Sequence, residues 1–259
     1  MSIVAAAPSE YTAPGVEEFW QPLIGDGAWA ITRPMFLMVL STGLIIWWLL
    51  APTKQRALVP SNGQMGTEAV YGLVRNGIAK DLIGSHEFLR FVPLLFTMFV
   101  LILVNNLFGV IPPMSYPTMS RIGFPVALTL VIWVVFHVVG MRKHGFIGYW
   151  KSLVPAGLPK AMIPAIFFLE LITDLFTRPV TLALRLFGNM FAGHILMVLF
   201  ISGGWYMLNS GGILPVAGGV TWIFAIVMTL FELLVEFLQA YVFTLLAALY
   251  IGGAVADEH

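Results

Sequence analysis

Three stretches of the chain, Met35–Ala51, Val92–Pro112 and Phe124–Met141, are apolar almost without interruption. A helix rises about 1.5 Å per residue and the hydrocarbon core of a bilayer is about 30 Å thick, so roughly 20 apolar residues cross it once. Each stretch is expected to be a single crossing. The Trp47-Trp48 pair and Pro52 close the first one as an interfacial anchor and a stop. Two later apolar regions, Ala161–Ile201 and Gly212–Ile251, are about twice as long, roughly 60 Å as helix. Either each folds back as two segments or each is one long helix lying steeply inclined. Pro179 removes a helix hydrogen bond and restricts Arg178 before it, so a break or bend is expected near the middle of the first region. Gly203-Gly204 and Ser210-Gly211-Gly212 mark the turn between the two, which together read as a membrane-embedded helical hairpin.

The polar segments between these spans are unequal. Lys54, Arg56, Arg75, Lys80 and Arg90 follow the first span, and Arg142, Lys143, Lys151 and Lys160 follow the third. The loop between the second and third carries only Arg121, and the hairpin turn carries no Lys or Arg. By the positive-inside rule the two basic loops are cytoplasmic (or matrix), the N-terminus is outside, and Asp257-Glu258-His259 is inside. Five principal crossings result, and the expected fold class is an all-α polytopic membrane protein. Three parts are expected: an extracytoplasmic segment 1–34, three transmembrane helices with basic loops over 35–160, and the long hairpin over 161–259. Within the first basic loop, Thr67–Lys80 interleaves Ala69, Val70, Leu73 and Val74 with Glu68, Arg75 and Lys80. That pattern fits a helix on the membrane surface and equally a helix packed on a partner subunit. Residues 1–34 carry Glu10, Glu17, Glu18 and Asp26 against Arg33, which matches neither a signal peptide nor an Arg-rich transit peptide.

Composition narrows the functional classes. The 259 residues are 59% hydrophobic and only 10% charged, far from the roughly 25% charged of soluble domains. With 13 Lys+Arg against 13 Asp+Glu there is no net field to draw nucleic acid, and with no Cys there is no disulfide framework, thiolate metal site or thiol nucleophile. No hydrolase triad, zinc spacing, phosphate-cradling loop or nucleotide fingerprint is present, so no cofactor or covalent active site is expected.

What remains is a set of charges in the wrong solvent. Glu170, Asp174, Arg178, Arg185, Glu232 and Glu236 fall inside the two long apolar regions, with His194 beside them. A charge near the bilayer centre costs about 2.5–3.5 kcal/mol on insertion scales, so such groups line a water-filled path or pair inside a bundle. At 100° per residue Glu232, Glu236, Gln239 and Phe243 share one stripe, like the wall of a channel, while Phe231, Leu234, Phe237, Leu238 and Leu245 turn away. Arg185 and Asn189 share a face, and His194 stands about 180° around and about 13 Å along the axis. Glu170 and Asp174 form a second acidic patch near the hairpin's entry, and Glu236 either pairs with Arg178 or reaches the interface. His137 has no acidic neighbour in sequence and reads as structural. Carboxylates and imidazole pass protons readily, whereas an Arg keeps its proton and acts as a fixed positive barrier.

The run Pro179-Val180-Thr181-Leu182-Ala183-Leu184-Arg185-Leu186-Phe187-Gly188-Asn189-Met190-Phe191-Ala192-Gly193 resembles the signature of subunit a of the F-type ATP synthases. Asn106-Leu107-Phe108-Gly109-Val110-Ile111-Pro112 and Leu238-Gln239-Ala240-Tyr241-Val242-Phe243 support it. The resemblance implies two offset half-channels meeting a rotating ring of c subunits, with b-type peripheral stalk subunits and the rest of the synthase complex as partners besides lipid. It implies Arg185 as the arginine facing the ring, Asn189 as the polar residue one turn away and Gln239 as the glutamine opposite. His194 and Glu232 fall where some members carry an acid and a histidine in reverse order, implying one coupled pair. Glu236 is expected to line a channel, and Glu170 with Asp174 to form an outer vestibule or its support. A bacterial plasma membrane, or the mitochondrial inner membrane, is the implied location. A proton-coupled secondary transporter is the competing reading, but it calls for inverted repeats, and the polarity here is concentrated in the C-terminal hairpin.

Overall fold

The computed structural model describes all residues except 1–10, 12–21, 26–30, 54–60, 85–86, 112–115, 155–158, 160 and 257–259. Glu10, Glu17, Glu18, Asp26, Lys54, Arg56, Pro112, Lys160 and the terminal Asp257-Glu258-His259 therefore lie outside the described residues. A short antiparallel ribbon, β1 (Pro22–Ile24) with β2 (Ile31–Thr32), leads into α1 (Arg33–Thr53), which ends one residue after Pro52. The first basic loop holds α2 (Asn62–Val74), a π-helical turn over Arg75–Lys80 and the short α3 (Asp81–Ile83). There follow α4 (Phe88–Leu107), α5 (Gly123–His144), α6 (Phe146–Ser152) and α7 (Ile163–Ile172), then a second π-helical turn over Thr173–Thr177, α8 (Arg178–Leu208) and α9 (Leu214–Val255). Among the described residues, five helical stretches are long and apolar enough to cross a membrane: Arg33–Ala51, Phe88–Leu107, Gly123–His144, Ile163–Leu208 and Leu214–Val255. The fold is that of an all-α polytopic membrane protein.

Both over-long regions are continuous helices, not folded-back pairs. Pro179 does not break the first of them. It sits at the second position of α8, directly after the π-helical turn. A helical proline leaves the carbonyl four residues back without its N–H partner. The wider turn over Thr173–Thr177 takes up that mismatch, and the Thr181 hydroxyl donates to the Thr177 carbonyl at 2.6 Å. The 42 residues of α9 span about 63 Å, twice the thickness of a hydrocarbon core. Gly212, with φ of 74°, turns the chain between α8 and α9. Immediately beyond, a Cβ on Gly218 would stand 2.8 Å from the Leu208 nitrogen and 2.9 Å from the Gly204 oxygen, so the two backbones touch at the apex.

One core joins the N-terminal helices to the hairpin. Leu95, Phe99 and Ile102 of α4, Ile132 and Phe136 of α5, Leu182 and Leu186 of α8, and Phe243, Ala247 and Ile251 of α9 belong to the same buried cluster. The helix of the first loop corrects the surface-helix expectation in part. It starts earlier, where the Ser61 hydroxyl caps the Gln64 N–H, and Val74, Ile78 and Ala79 at its far end are fully buried in that core. Its far end therefore packs on this chain's own bundle, while Met65, Tyr71 and Leu73 stay exposed. Facing outward, Phe231, Leu234, Phe237 and Leu238 of α9 are exposed, and Leu245 is half-buried. Such a surface suits lipid or another membrane subunit, not water.

Candidate functional site

The two faces of α8 carry different chemistry. Arg185 and Asn189 are exposed on one face, and no described residue pairs with the Arg185 guanidinium. His194, half a turn around, is buried. On α9 the stripe of Glu232, Glu236 and Gln239 is buried throughout, with Glu236 fully so. The Asn189 amide donates to the Gln239 side-chain oxygen at 2.7 Å, which ties the exposed face to the buried stripe.

Glu232 stands against α8 where Gly193 has no side chain, since a Cβ there would be 2.9 Å from Glu232 Oε1. Asn189, Ala192, Gly193 and Leu196 of α8, with Met228, Phe231, Glu232 and Val235 of α9, line a cavity of about 410 Å³. Glu236 sits deeper, beside α4. Its Oε1 is 3.1 Å from the position a Gly109 Cβ would take, and the Asn106 amide donates to the Glu236 backbone carbonyl at 3.3 Å. Both Glu236 carboxyl oxygens, Glu232 Oε1, Gln239 Nε2 and Asn106 Oδ1 are buried without a hydrogen-bond partner among the described residues. Unsatisfied carboxylates are costly in an apolar bundle unless water or protons reach them. Tyr116, from the loop between α4 and α5, packs its ring 6.2 Å from that of His194. Burial pushes the Tyr116 phenol up to about 12, against the opposing pull of Arg121 and of its hydrogen bond with Ser120.

A second polar cavity, of about 490 Å³, lies at the other end of the bundle. Glu170, Asp174, Arg178, Tyr149 and Ser152 line it together with Tyr250 and Gly252–Ala254 near the end of α9. Asp174 is fully buried and collects three partners from three elements: Arg178, the Tyr149 hydroxyl at 3.1 Å, and His137 Nε2 at 3.4 Å. The Arg178 guanidinium also lies over the Tyr250 ring, 5.3 Å from its centroid. Lys143 bonds the Val255 carbonyl and stands 3.8 Å from Glu87 Oε1, so both basic loops and the end of α9 meet at this end of the molecule.

Several of the expected residues have partners or positions that sequence spacing does not give. Glu236 does not pair with Arg178, whose carboxylate is Asp174, one helical turn before it. Glu170 and Asp174 stand at the end of the bundle where the basic loops meet the end of α9. His137 has an acidic neighbour after all, supplied by a distant segment. Asn106, Tyr116 and Tyr149 complete the two polar groups, and as neutral polar residues in or beside a span they leave no charge signal in the sequence. The adjacent pair Asn105-Asn106 in an otherwise apolar helix was the available clue.

A family model described as ATP synthase A chain matches residues 35–252. The chain is 43% identical over 272 residues to the ATP synthase subunit a of a Nocardioides species, covering 100% of this chain and 98% of that one. It is 40% identical to the subunit a of Pseudarthrobacter chlorophenolicus, covering 100% and 99%, and 36% identical to that of Streptomyces lividans, covering 96% and 89%.

Proposed function

This chain belongs to the ATP synthase subunit a family, and from that premise we propose that it carries protons through two half-channels to and from a rotating c-ring, as a non-catalytic subunit of the complex. The observation that carries the reading is the arrangement around α8: Arg185 and Asn189 are exposed on one face, with Asn189 bonded to Gln239 of the buried Glu232–Glu236–Gln239 stripe of α9, and His194 is buried on the other face. The exposed face, running on into the apolar outer side of α9, is the surface for the ring. The partners are c subunits, b-type peripheral stalk subunits and lipid, in a bacterial plasma membrane with the N-terminus outside and the C-terminus in the cytoplasm.

The first half-channel runs from the outer side past Tyr116 and His194 to Glu232, Glu236 and the Asn189–Gln239 bridge. A proton delivered there neutralises a ring carboxylate, which then turns into lipid. The second half-channel is the basic-end cavity, with Glu170 on its rim and Asp174 and Arg178 in its wall. A ring carboxylate arriving on that side releases its proton and passes Arg185 as an anion. Arg185 holds its charge at any accessible pH, so it attracts the bare carboxylate and blocks protons from hopping directly between the half-channels. Each proton driven through 100 mV supplies about 2.3 kcal/mol.

The chain has no cysteine, so single cysteines report without background. Asn189→Cys is expected to form a disulfide with a cysteine placed beside the ring carboxylate of a c subunit, and His194→Cys is not. Arg185→Ala is expected to abolish ATP-driven proton pumping while the complex still assembles. Cross-linking from position 194 but not 189, or normal pumping in Arg185→Ala, would overturn the assignment.

A further inference from the structure

We propose that the groove between α6 and α7 is a binding site for an anionic phospholipid, with one acyl chain lying in the groove and the headgroup phosphate paired with Lys151. The inference goes beyond the proton path and needs only that the chain is embedded in a membrane.

The groove follows from the two faces of α6. α5 ends its crossing on Arg142, Lys143 and His144, and Gly145, with φ of 73°, turns the chain directly into α6. One face of α6 points inward through Tyr149, which is buried and donates to Asp174. The other carries Phe146, Ile147, Trp150 and Lys151, which the spacing of one helical turn gathers into a stripe. Ile163 and Phe167, one turn apart on α7, face that stripe across a groove of about 490 Å³. Phe146 is 67% and Ile147 69% exposed, so this chain leaves the wall open. Aromatic and aliphatic side chains beside a single ammonium, where a crossing has just ended, match the build of a lipid at the membrane boundary.

Charge selects the headgroup. No Asp or Glu occurs from Phe88 to Leu169, while Arg142, Lys143, Lys151 and Lys160 fall within the same stretch. The carboxylates that approach this end have other partners: Asp174 meets Arg178 and Tyr149, and Glu87 stands by Lys143. Lys151 is exposed, and no described carboxylate pairs with it. Its ammonium offers three donors to phosphate oxygens. A zwitterionic lipid brings its own cation alongside the phosphate, so a lipid with net negative charge is favoured. Size selects a chain over a protein helix. A helix about 10 Å across fills roughly 80 Å³ per Å of length, so the groove would admit little more than one turn, whereas a far thinner acyl chain can run along it. The site also touches the interior, because the Trp150 ring packs edge-on against Tyr149, 5.4 Å between centroids. A chain wedged on Trp150 therefore braces the side chain that donates to Asp174.

The test uses the assembled synthase in phosphatidylcholine nanodiscs doped with a phosphatidylglycerol that carries a diazirine midway along one acyl chain. After illumination and digestion, mass spectrometry is expected to find adducts on α6 and the start of α7. Unlabelled phosphatidylglycerol should reduce them several-fold, and the same amount of added phosphatidylcholine should not. Lys151→Gln is expected to abolish that preference and Lys151→Arg to keep it, while Ile147→Asn should lower the adduct yield with the preference retained. Adducts on the exposed face of α5, at Leu130 and Val134, provide the reference and should be equally sensitive to both lipids in every variant. Equal competition by the two lipids in the groove, or a preference untouched by Lys151→Gln, would overturn the proposal. So would a groove left unlabelled while α5 is labelled, as a partner subunit seated there would produce. The competition in the wild-type complex decides the matter even if a variant assembles poorly.

Discussion

Gly193 decides how near the Glu232 carboxylate can stand to α8, because a Cβ at that position would already lie 2.9 Å from its Oε1. Gly193→Val adds branches that cannot be accommodated by moving one atom, so the carboxylate must leave its place. ATP-driven proton pumping is expected to fall about tenfold, a barrier change of about 1.4 kcal/mol, with assembly intact. Beside it, His194 and Glu232 are expected to act as one unit. The exchange His194→Glu with Glu232→His should restore more pumping than the product of the two single losses predicts, and simple additivity would show that they act separately. Tyr116 gives a stability prediction with a definite sign. Below about pH 10 the phenol is neutral folded or unfolded, and between about 10 and 12 only the unfolded chain ionises. The folded form then loses about 1.4 kcal/mol per pH unit across that window, as far as the raised value reaches. Thermal unfolding of the purified subunit in detergent should show this alkaline loss, and Tyr116→Phe should lessen it. Residues with charge in the apolar regions were legible in the sequence because insertion makes them conspicuous. The company they keep was not: the acid beside His137 comes from a different helix, and no spacing rule connects the two.

At the scale of elements, the long hairpin depends on how closely α8 and α9 approach at both the apex and the middle. Gly218→Leu places a side chain where the Leu208 nitrogen and the Gly204 oxygen already lie within 2.9 Å, and backbone atoms cannot swing aside as a side chain can. Such overpacking costs about 1–3 kcal/mol or more, so the variant is expected to be poorly retained in the complex, as blue-native electrophoresis of solubilised membranes would show. Wild-type recovery of the intact synthase in that variant would mean that the apex has more slack than the contacts imply. The existence of each span was readable from run length and apolarity. Local chemistry was harder to read, because tertiary contacts decide it. Pro179 signals a break by its missing N–H, yet a preceding π-helical turn lets the helix run on through Ile163–Leu208. The Thr67–Lys80 pattern signals an amphipathic helix correctly, but its period alone does not say whether the apolar side meets lipid or the chain's own core, where Val74 and Ile78 are buried.

The whole molecule is polarised along one axis. At one end Lys143 links the third loop to the end of α9 through the Val255 carbonyl and approaches Glu87 of the first loop. At the other, Arg121 donates to Thr32 just before α1, and Tyr11 meets Ser202 near the end of α8 at 2.9 Å. The alternation of basic and non-basic loops along the sequence is thus a separation in space, and the two polar cavities lie toward opposite ends of it. At about 63 Å, α9 is twice as long as about 30 Å of hydrocarbon, so only a lean of roughly 60° from the normal would hold all of it inside. The two cavities lie at different levels of the hairpin, one between Asn189–Leu196 and Met228–Val235 and the other between Glu170–Arg178 and the end of α9. Under the proposed function, lateral transport by a ring would connect the two cavities. The sidedness this requires is open to direct measurement. Lys151→Cys and Gly211→Cys stand at opposite ends, both at exposed positions, and the Gly211 site has open space for a side chain. In intact cells a membrane-impermeant maleimide should label Gly211→Cys and leave Lys151→Cys untouched until the membrane is opened. The reverse pattern would invert the topology, put the Asn189–Glu232 cavity on the cytoplasmic side, and exchange the entry and exit roles of the two proposed half-channels.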